Sequence, residues 1–241
     1  MNQKKVIGIL GGMGPEATID LFGKIVRSTP VSRDQDHLRL IIDNNPGIPD
    51  RQEAILENGP SPAPMLIETA KNLETAGANF IVMPCNTAHC WIAEIRRAVK
   101  IPVVDMIEEA AKETSKLYPS LRTVGIMAAT GTVRSGLYQK QFHNLAIKTV
   151  SPTDRDQETL MKIIYSVKAG NLSVSAAAIQ IGQRLIQSGV EAIIAGCTEI
   201  PLILKTGDLP VPIIDATQVL AKRAIEIARN SKESISLLLQ S

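Results

Sequence analysis

The chain of 241 residues is predicted to be an α/β protein with two pseudo-symmetric domains, each a mostly parallel sheet flanked by helices. Short apolar runs alternate with longer stretches of helical periodicity along the chain. The sequence also repeats in order: residues 5–12 resemble 123–130, the run ending at Cys85 resembles the run ending at Cys197, and 101–105 resemble 211–215. Such a repeat indicates two similar halves.

Strands are predicted where short runs rich in Val and Ile are followed by glycine, proline or a polar residue. This composition is typical of parallel strands that are buried on both faces. Aromatic residues make up only 3% of the chain, so we expect an aliphatic core. The predicted strands are 6–10, 38–43, 80–83, 103–104, 123–127, 146–150, 192–195 and 213–214.

Helices are predicted between these strands. Pro15 suits the first position of a helix, and Asp105 and Asp215 are placed as helix N-caps. The predicted helices are 15–28, 63–76, 87–99, 107–117, 133–142, 154–167, 174–188 and 218–229.

The repeat also predicts the domain division. Residues 1–104 plus 216–241 form the first half, and residues 105–215 form the second. Ligands of parallel sheets bind at the carboxyl ends of the strands, so we expect the active site in the cleft between the halves.

Composition narrows the class of protein. A net charge of +2 gives no reason to expect a nucleic-acid or membrane partner, and no apolar run reaches the ~18 residues of a membrane span. The apolar stretch 6–10 is too short for a signal-peptide core, which predicts a cytoplasmic protein with reduced thiols. Cys85 and Cys90 are spaced C-x4-C, which is not a standard zinc spacing.

Cys85 and Cys197 are the first candidates for chemistry. Each closes a predicted buried strand and precedes a helical pattern. A helix N-terminus favours a thiolate, and a free thiol has a pKa of ~8.5, so a modest decrease would bring it near working pH. Two thiols that face one site are what a two-base proton-transfer enzyme needs. Cys90 lacks the repeated context and is interpreted as a small apolar core residue.

Two turns are candidates for anion binding. The turn at residues 11–15 follows the first strand and opens a helix, and residues 129–132 occupy the equivalent place in the second half. Main-chain N–H groups in such turns can hold a carboxylate or phosphate. Each is equally compatible with a tight turn that binds nothing.

The first turn also matches a dinucleotide-binding pattern. Gly12, Gly14 and Ala17 fit G-x-G-x-x-A, and Asp43 ends the next predicted strand. This isolated match leaves the paired cysteines unexplained, but it keeps a nucleotide-binding module open as an alternative.

Arg51 and Lys168 are candidate cations for a carboxylate ligand. Arg51 follows the loop after the second strand, and Lys168 ends a predicted helix. Arginine binds carboxylates in a bidentate geometry. Taken alone, each is also compatible with a solvated charge or a helix C-terminal cap.

Two further residues stand near the cysteines. His89 follows Cys85 by one helical turn and is placed to tune that thiol. Glu199 follows Cys197 and is placed either to orient the second thiol or to bind a substrate ammonium group. Each also fits an ordinary helix position.

Four motifs resemble the aspartate racemase branch of the aspartate/glutamate racemase superfamily, and the likeness extends over essentially the whole chain. They are GILGGMGP at residues 8–15, IPDR at 48–51, MPCNTAH at 83–89 and GCTE at 196–199. The resemblance implies a cofactor-independent racemase that acts on a small amino acid, has two pseudo-symmetric α/β domains and forms a homodimer.

The resemblance also assigns roles. Cys85 and Cys197 are the two acid/base groups. The residues implied to surround the substrate are Met13, Asn45, Arg51, Asn86, Thr87, Lys168, Thr198 and Glu199.

Two positions can be compared with the two kinds of racemase in this superfamily. Glutamate racemases typically carry His where Glu199 stands, and aspartate racemases often have Thr where Gln52 stands. Two cysteines favour racemisation over the decarboxylation or isomerisation of relatives that lack one. We therefore expect interconversion of L- and D-aspartate by α-proton transfer, without pyridoxal phosphate or metal. A broad-specificity racemase or isomerase of the same superfamily is the alternative.

Overall fold

The computed structural model describes residues 4–230, and these form two all-parallel sheets flanked by helices. The predicted fold class is therefore confirmed. No helix among these residues is both long and apolar enough to cross a membrane.

The first sheet has the strand order β2-β1-β3, and Ile7 lies in register with Leu40 and Phe80. Two 3-10 turns, Asp34–Asp36 and Thr87–Trp91, belong to the same stretch of chain. In chain order the elements up to residue 117 are β1 (Ile7–Gly11), α1 (Pro15–Ser28), β2 (Leu40–Asn44), α2 (Arg51–Leu56), α3 (Ala63–Thr75), β3 (Phe80–Val82), α4 (Ile92–Ala98) and α5 (Met106–Leu117).

The second sheet has the order β5-β4-β6-β7, and Val124 lies in register with Ala192. The elements that follow in the chain are β4 (Thr123–Ala128), α6 (Thr130–Arg134), α7 (Leu137–Asn144), β5 (Lys148–Val150), α8 (Asp154–Lys168), α9 (Ser175–Gln187), β6 (Ala192–Gly196), α10 (Ile200–Ile203), β7 (Ile213–Asp215) and α11 (Ala216–Arg229).

The sequence repeat corresponds to equivalent places in the two sheets. β1 and β4 are flanked in the same way, and β3 and β6 precede the two cysteines. The predicted strand 103–104 is wrong as a strand, because only an isolated bridge joins Val103 to Ile81. The chain turns there into α5, where Asp105 accepts hydrogen bonds from the N–H groups of Ile107 and Glu108.

Several helices differ from their predicted bounds. The predicted helix 87–99 is a 3-10 turn followed by α4, and the predicted helix 133–142 is broken into α6 and α7 at Gly136, whose φ is +67°. The short helices α2 and α10 were not expected. α2 begins because Asp50 accepts hydrogen bonds from the N–H groups of Gln52 and Glu53.

One core cluster, composed mainly of aliphatic side chains, spans both halves. A cluster of buried side chains joins Ile9 of β1 to Ile126 of β4 and Leu220 of α11, and a further cluster lies on the outer side of each sheet. α11 packs against α1, and α5 packs against α7. Each fully buried aliphatic side chain contributes about 1.5–3 kcal/mol to stability, so this core holds the cleft in place. The residue bounds of the two domains stay a prediction.

Candidate active site

The segments that follow β1, β3, β4 and β6 at their carboxyl ends surround a narrow cleft, together with residues of α2 and α8. Both Cys85 and Cys197 line it. The other predicted residues that line it are Met13, Arg51, Asn86, Thr87, Lys168, Thr198 and Glu199.

Asn45 does not line this cleft. Its side chain instead donates to the Thr69 hydroxyl at 3.2 Å and accepts from the Gly47 N–H at 3.1 Å. Its backbone supports the first turn: a Cβ on Gly12 would lie 2.3 Å from the Asn45 carbonyl carbon, and Gly12 has a φ of +98°. Only glycine fits there. Asn45 thus supports the turn that carries Met13.

The two cysteines are buried in similar settings, with 6% and 8% of their surfaces exposed. Cys85 leads from β3 into a 3-10 turn, and Cys197 leads from β6 into the four-residue helix α10. Neither element is long enough to sum many peptide dipoles, so the expected thiolate stabilisation by a helix N-terminus is weak here.

Cys197 is held as a thiol. Its Sγ donates a hydrogen bond to Glu199 Oε2 at 2.9 Å, and the Thr198 hydroxyl donates to the same oxygen at 3.1 Å. Burial first, and then the neighbouring Glu199 carboxylate, raise the pKa of Cys197 well above its ordinary value. The expectation of a lowered pKa is therefore wrong for this cysteine.

Replacing Glu199 by Gln is expected to lower the pKa of Cys197, since it removes a negative charge that opposes the thiolate. Thiolate absorbance in a Cys85→Ser, Cys90→Ser background would measure this shift. Because the folded-state pKa is raised, the stability it contributes is present below the thiol's ordinary pKa and is lost as pH rises through the folded-state pKa. An unchanged thiolate titration in the Glu199→Gln variant would contradict this account.

The first cysteine loop offers donors that the protein leaves free. No hydrogen bond within residues 4–230 uses the main-chain N–H of Asn86 or Thr87. The Asn86 Nδ2 is also buried without a partner there. These groups lie beside Cys85 and can hold a carboxylate.

Three main-chain amides of the two candidate anion-binding turns already have partners within the protein, so they are not free to bind a ligand. The N–H of Gly12 donates to the Thr18 hydroxyl at 3.0 Å, the N–H of Thr130 to Met161 Sδ at 3.3 Å, and the N–H of Gly131 to Gln52 Oε1 at 2.7 Å. The expectation that these turns hold an anion therefore fails at these three amides, because side chains already satisfy them.

Gln52 joins the two halves inside the cleft. Its Nε2 donates to the Thr87 hydroxyl at 3.2 Å while its Oε1 accepts from Gly131. The Thr87 hydroxyl is also 2.8 Å from that of Thr132. The sequence marks Gln52 only as a residue that stands where aspartate racemases often have Thr. Its bridging role depends on the packing of α2 against α6.

Replacing Gln52 by Leu is expected to lower the free energy of unfolding by about 1–3 kcal/mol, since it leaves the buried Gly131 N–H without an acceptor. Denaturant unfolding measures this change. Gln183 is exposed, so Gln183→Leu serves as the control. It should change the free energy of unfolding by less than about 0.5 kcal/mol. Equal stability of the two variants would contradict the bridging role.

His89 does not contact the Cys85 thiol through a hydrogen bond. Its Nδ1 is 2.8 Å from the Cys85 carbonyl oxygen, and its Nε2 accepts from the Met106 N–H at 3.1 Å. Because Nε2 accepts, Nδ1 carries the proton and donates to the carbonyl. His89 therefore ties the cysteine loop to the start of α5 and does not tune the thiol directly.

Arg51 and Lys168 bring two cations to the cleft. Arg51 uses Nη1 for the carbonyls of Ile48 and Pro49, at 3.1 and 2.9 Å. Burial lowers the pKa of Lys168, but Glu199 and both cysteines outweigh it, so the pKa is raised. Neither cation forms a salt bridge within the described part of the chain.

Comparison with known proteins identifies the family. The sequence profile described as Asp/Glu/hydantoin racemase matches residues 10–224. The chain belongs to this racemase family. The expected resemblance is confirmed. One amide of the turn proposed for a nucleotide, the Gly12 N–H, already has a partner in the Thr18 hydroxyl.

Three relatives show how far the likeness extends. The Picrophilus torridus aspartate racemase is 34% identical and superposes with a TM-score of 0.82, covering 97% of this chain and 99% of that one. An aspartate racemase homologue from Pyrococcus horikoshii is 30% identical with a TM-score of 0.76, covering 94% and 100%. The broad specificity amino-acid racemase RacX of Bacillus subtilis is 29% identical over 225 residues, covering 91% of this chain and 96% of the relative.

Sequence reasoning missed several residues that line this racemase-family cleft. Met161, Ile164 and Tyr165 come from α8, and Tyr165 lies under Lys168, whose Nζ is 5.8 Å from the ring centroid. Nothing in their pattern distinguishes them from packing residues, although Lys168 at the end of the same helix was a candidate.

Proposed function

We propose that the protein is a cofactor-independent racemase that interconverts L- and D-aspartate through Cys85 and Cys197. The observation that carries the proposal is the presence of both thiols in one cleft, each following the equivalent strand of its own half. Two acid/base groups that come from opposite halves can reach opposite faces of one carbon atom. The similarity to aspartate racemases supports the same reaction.

The proposed reaction moves one proton at a time. One cysteine, as thiolate, takes the α-proton, and the electron pair of that C–H bond passes into the carboxylate. The opposite thiol then gives its proton to the other face of the α-carbon and becomes a thiolate. Because the pKa of Cys197 is raised, Cys197 supplies the proton when Cys85 acts first.

The free donors beside Cys85 stabilise the intermediate. Negative charge increases on the α-carboxylate when the α-proton leaves. The N–H groups of Asn86 and Thr87 are aligned before the reaction, and each such donor typically contributes 10²–10³ in kcat in other enzymes.

The charges of the cleft match aspartate. The amino acid has two carboxylates and one ammonium group. We assign the side-chain carboxylate to Arg51 and Lys168, and the ammonium group to Glu199. Since both cations lack an acidic partner in the described structure, a second carboxylate on the ligand would neutralise them.

Racemisation of purified protein without added cofactor tests the proposal. L-aspartate, L-glutamate and L-alanine would each be incubated with the enzyme, and the enantiomers separated by chiral chromatography. We expect aspartate to have the highest kcat/KM. Absence of D-product from every amino acid would overturn the proposed function.

A broad-specificity racemase is the second candidate. The relative RacX supports it, as do the apolar side chains of Met161 and Ile164, which place no charge requirement on the ligand. Comparable kcat/KM values for alanine and aspartate in the same assay would favour it over the aspartate enzyme.

A further inference from the structure

Tyr138 lies between the two cysteine loops although it belongs to neither. It is on α7, and its side chain is fully buried. Its hydroxyl donates to Asn86 Oδ1 at 2.6 Å, and Asn86 directly follows Cys85. Its ring lies against Gly196, which directly precedes Cys197: a Cβ on Gly196 would be 2.9 Å from Tyr138 Cε2.

The Tyr138 hydroxyl determines which way the Asn86 amide points. A buried phenol hydrogen needs an acceptor, and Asn86 Oδ1 is the acceptor found among the described residues. If the amide were rotated by 180°, Nδ2 would face the phenol oxygen and the phenol hydrogen would lose its partner. Burial also raises the pKa of Tyr138 well above its ordinary value, so the hydroxyl keeps its hydrogen.

The other end of the amide is unoccupied by the protein. Asn86 is 3% exposed and lines the cleft, and its Nδ2 has no hydrogen-bond partner in the described structure. Unpaired buried donors are rare in folded proteins and indicate a missing partner. A ligand acceptor in the cleft, next to the free N–H groups of Asn86 and Thr87, would provide it.

We propose that Tyr138 is a positioning residue that fixes the Asn86 amide with its Nδ2 hydrogens towards a carboxylate of the substrate. This inference rests on the proposed function, because it takes the ligand to be an amino acid. Tyr138 itself contacts no substrate. It acts from the second half on a donor of the first half, so the correct orientation of the donor depends on the two halves being joined.

A double-mutant cycle tests the proposal. Tyr138→Phe keeps the ring against Gly196 and removes only the hydroxyl, so we expect kcat/KM for aspartate to fall about tenfold. Asn86→Ala should lower it at least as much. The double variant should resemble Asn86→Ala alone, because the hydroxyl has nothing to orient once the amide is gone.

Tyr118→Phe is the matched control. Tyr118 follows α5, does not line the cleft, and its hydroxyl makes no hydrogen bond within residues 4–230. This variant should keep wild-type kcat/KM. Thermal unfolding of all variants separates loss of fold from loss of orientation, and Tyr138→Phe should stay folded at the assay temperature.

The possible outcomes separate a failure of the positioning role of Tyr138 from a failure of the proposed function. If wild-type protein racemises aspartate and the losses from Tyr138→Phe and Asn86→Ala multiply in the double variant, the positioning role is wrong and the proposed function stands. Wild-type kcat/KM in Tyr138→Phe would also overturn the inference. If wild-type protein racemises no amino acid, the proposed function is wrong, and the inference about Tyr138 that rests on it is wrong as well.

Discussion

Replacing either Cys85 or Cys197 by Ser is expected to lower kcat for aspartate racemisation by about 10²–10⁴-fold, the range that general acid–base catalysis contributes. A serine hydroxyl loses its proton far less readily than a thiol. Racemisation needs one group to take the proton and the other to give one, so either replacement should stop conversion in both directions. Chiral chromatography of both aspartate enantiomers measures the loss.

The third cysteine provides the control. Cys90 is partly buried and does not line the cleft, so Cys90→Ser should retain wild-type turnover. Combining Cys85→Ser with Cys197→Ser should add little to either single loss, because the two groups act as one unit. Near-wild-type racemisation by either single variant would contradict the two-base mechanism.

Removing the cations of the cleft is expected to change substrate preference. Arg51→Ala and Lys168→Met should each lower kcat/KM for aspartate by about 10–100-fold, which corresponds to the loss of one charge-assisted hydrogen bond. Turnover of alanine should change much less, since it has no second carboxylate. Initial rates with both substrates measure the ratio of kcat/KM for aspartate to kcat/KM for alanine.

Lys162→Met is the matched control for Lys168. Lys162 lies on the same helix, α8, and is exposed, but it does not line the cleft. It should leave the ratio of aspartate to alanine turnover unchanged. Equal losses for alanine and aspartate in the Lys168→Met variant would show that Lys168 does not bind the side-chain carboxylate.

The repeat and the strand ends were readable from the sequence because they depend on local signals. Val/Ile-rich runs locate the strands, and Asp105 and Asp215 cap helices as predicted. The matched contexts of Cys85 and Cys197 place each thiol at the carboxyl-end edge of its own sheet, which is where parallel sheets bind ligands.

The remaining features depend on contacts between distant segments. The contact of Tyr138 with Asn86 and the bridge from Gln52 to Gly131 each join residues from different halves, and no local pattern indicates them. The thiol state of Cys197 was mispredicted for the same reason. Burial and the Glu199 carboxylate outweigh the effect of a four-residue helix.

The direct test of the two-base mechanism is the position of deuterium early in the reaction. L-aspartate would be incubated with the enzyme in D₂O without cofactor, and both enantiomers isolated at low conversion. We expect the D-aspartate formed to carry one α-deuterium, delivered by the opposite thiol, while the remaining L-aspartate keeps its α-hydrogen. Equal deuterium in both enantiomers from the start would contradict the account, because a single base would then serve both faces.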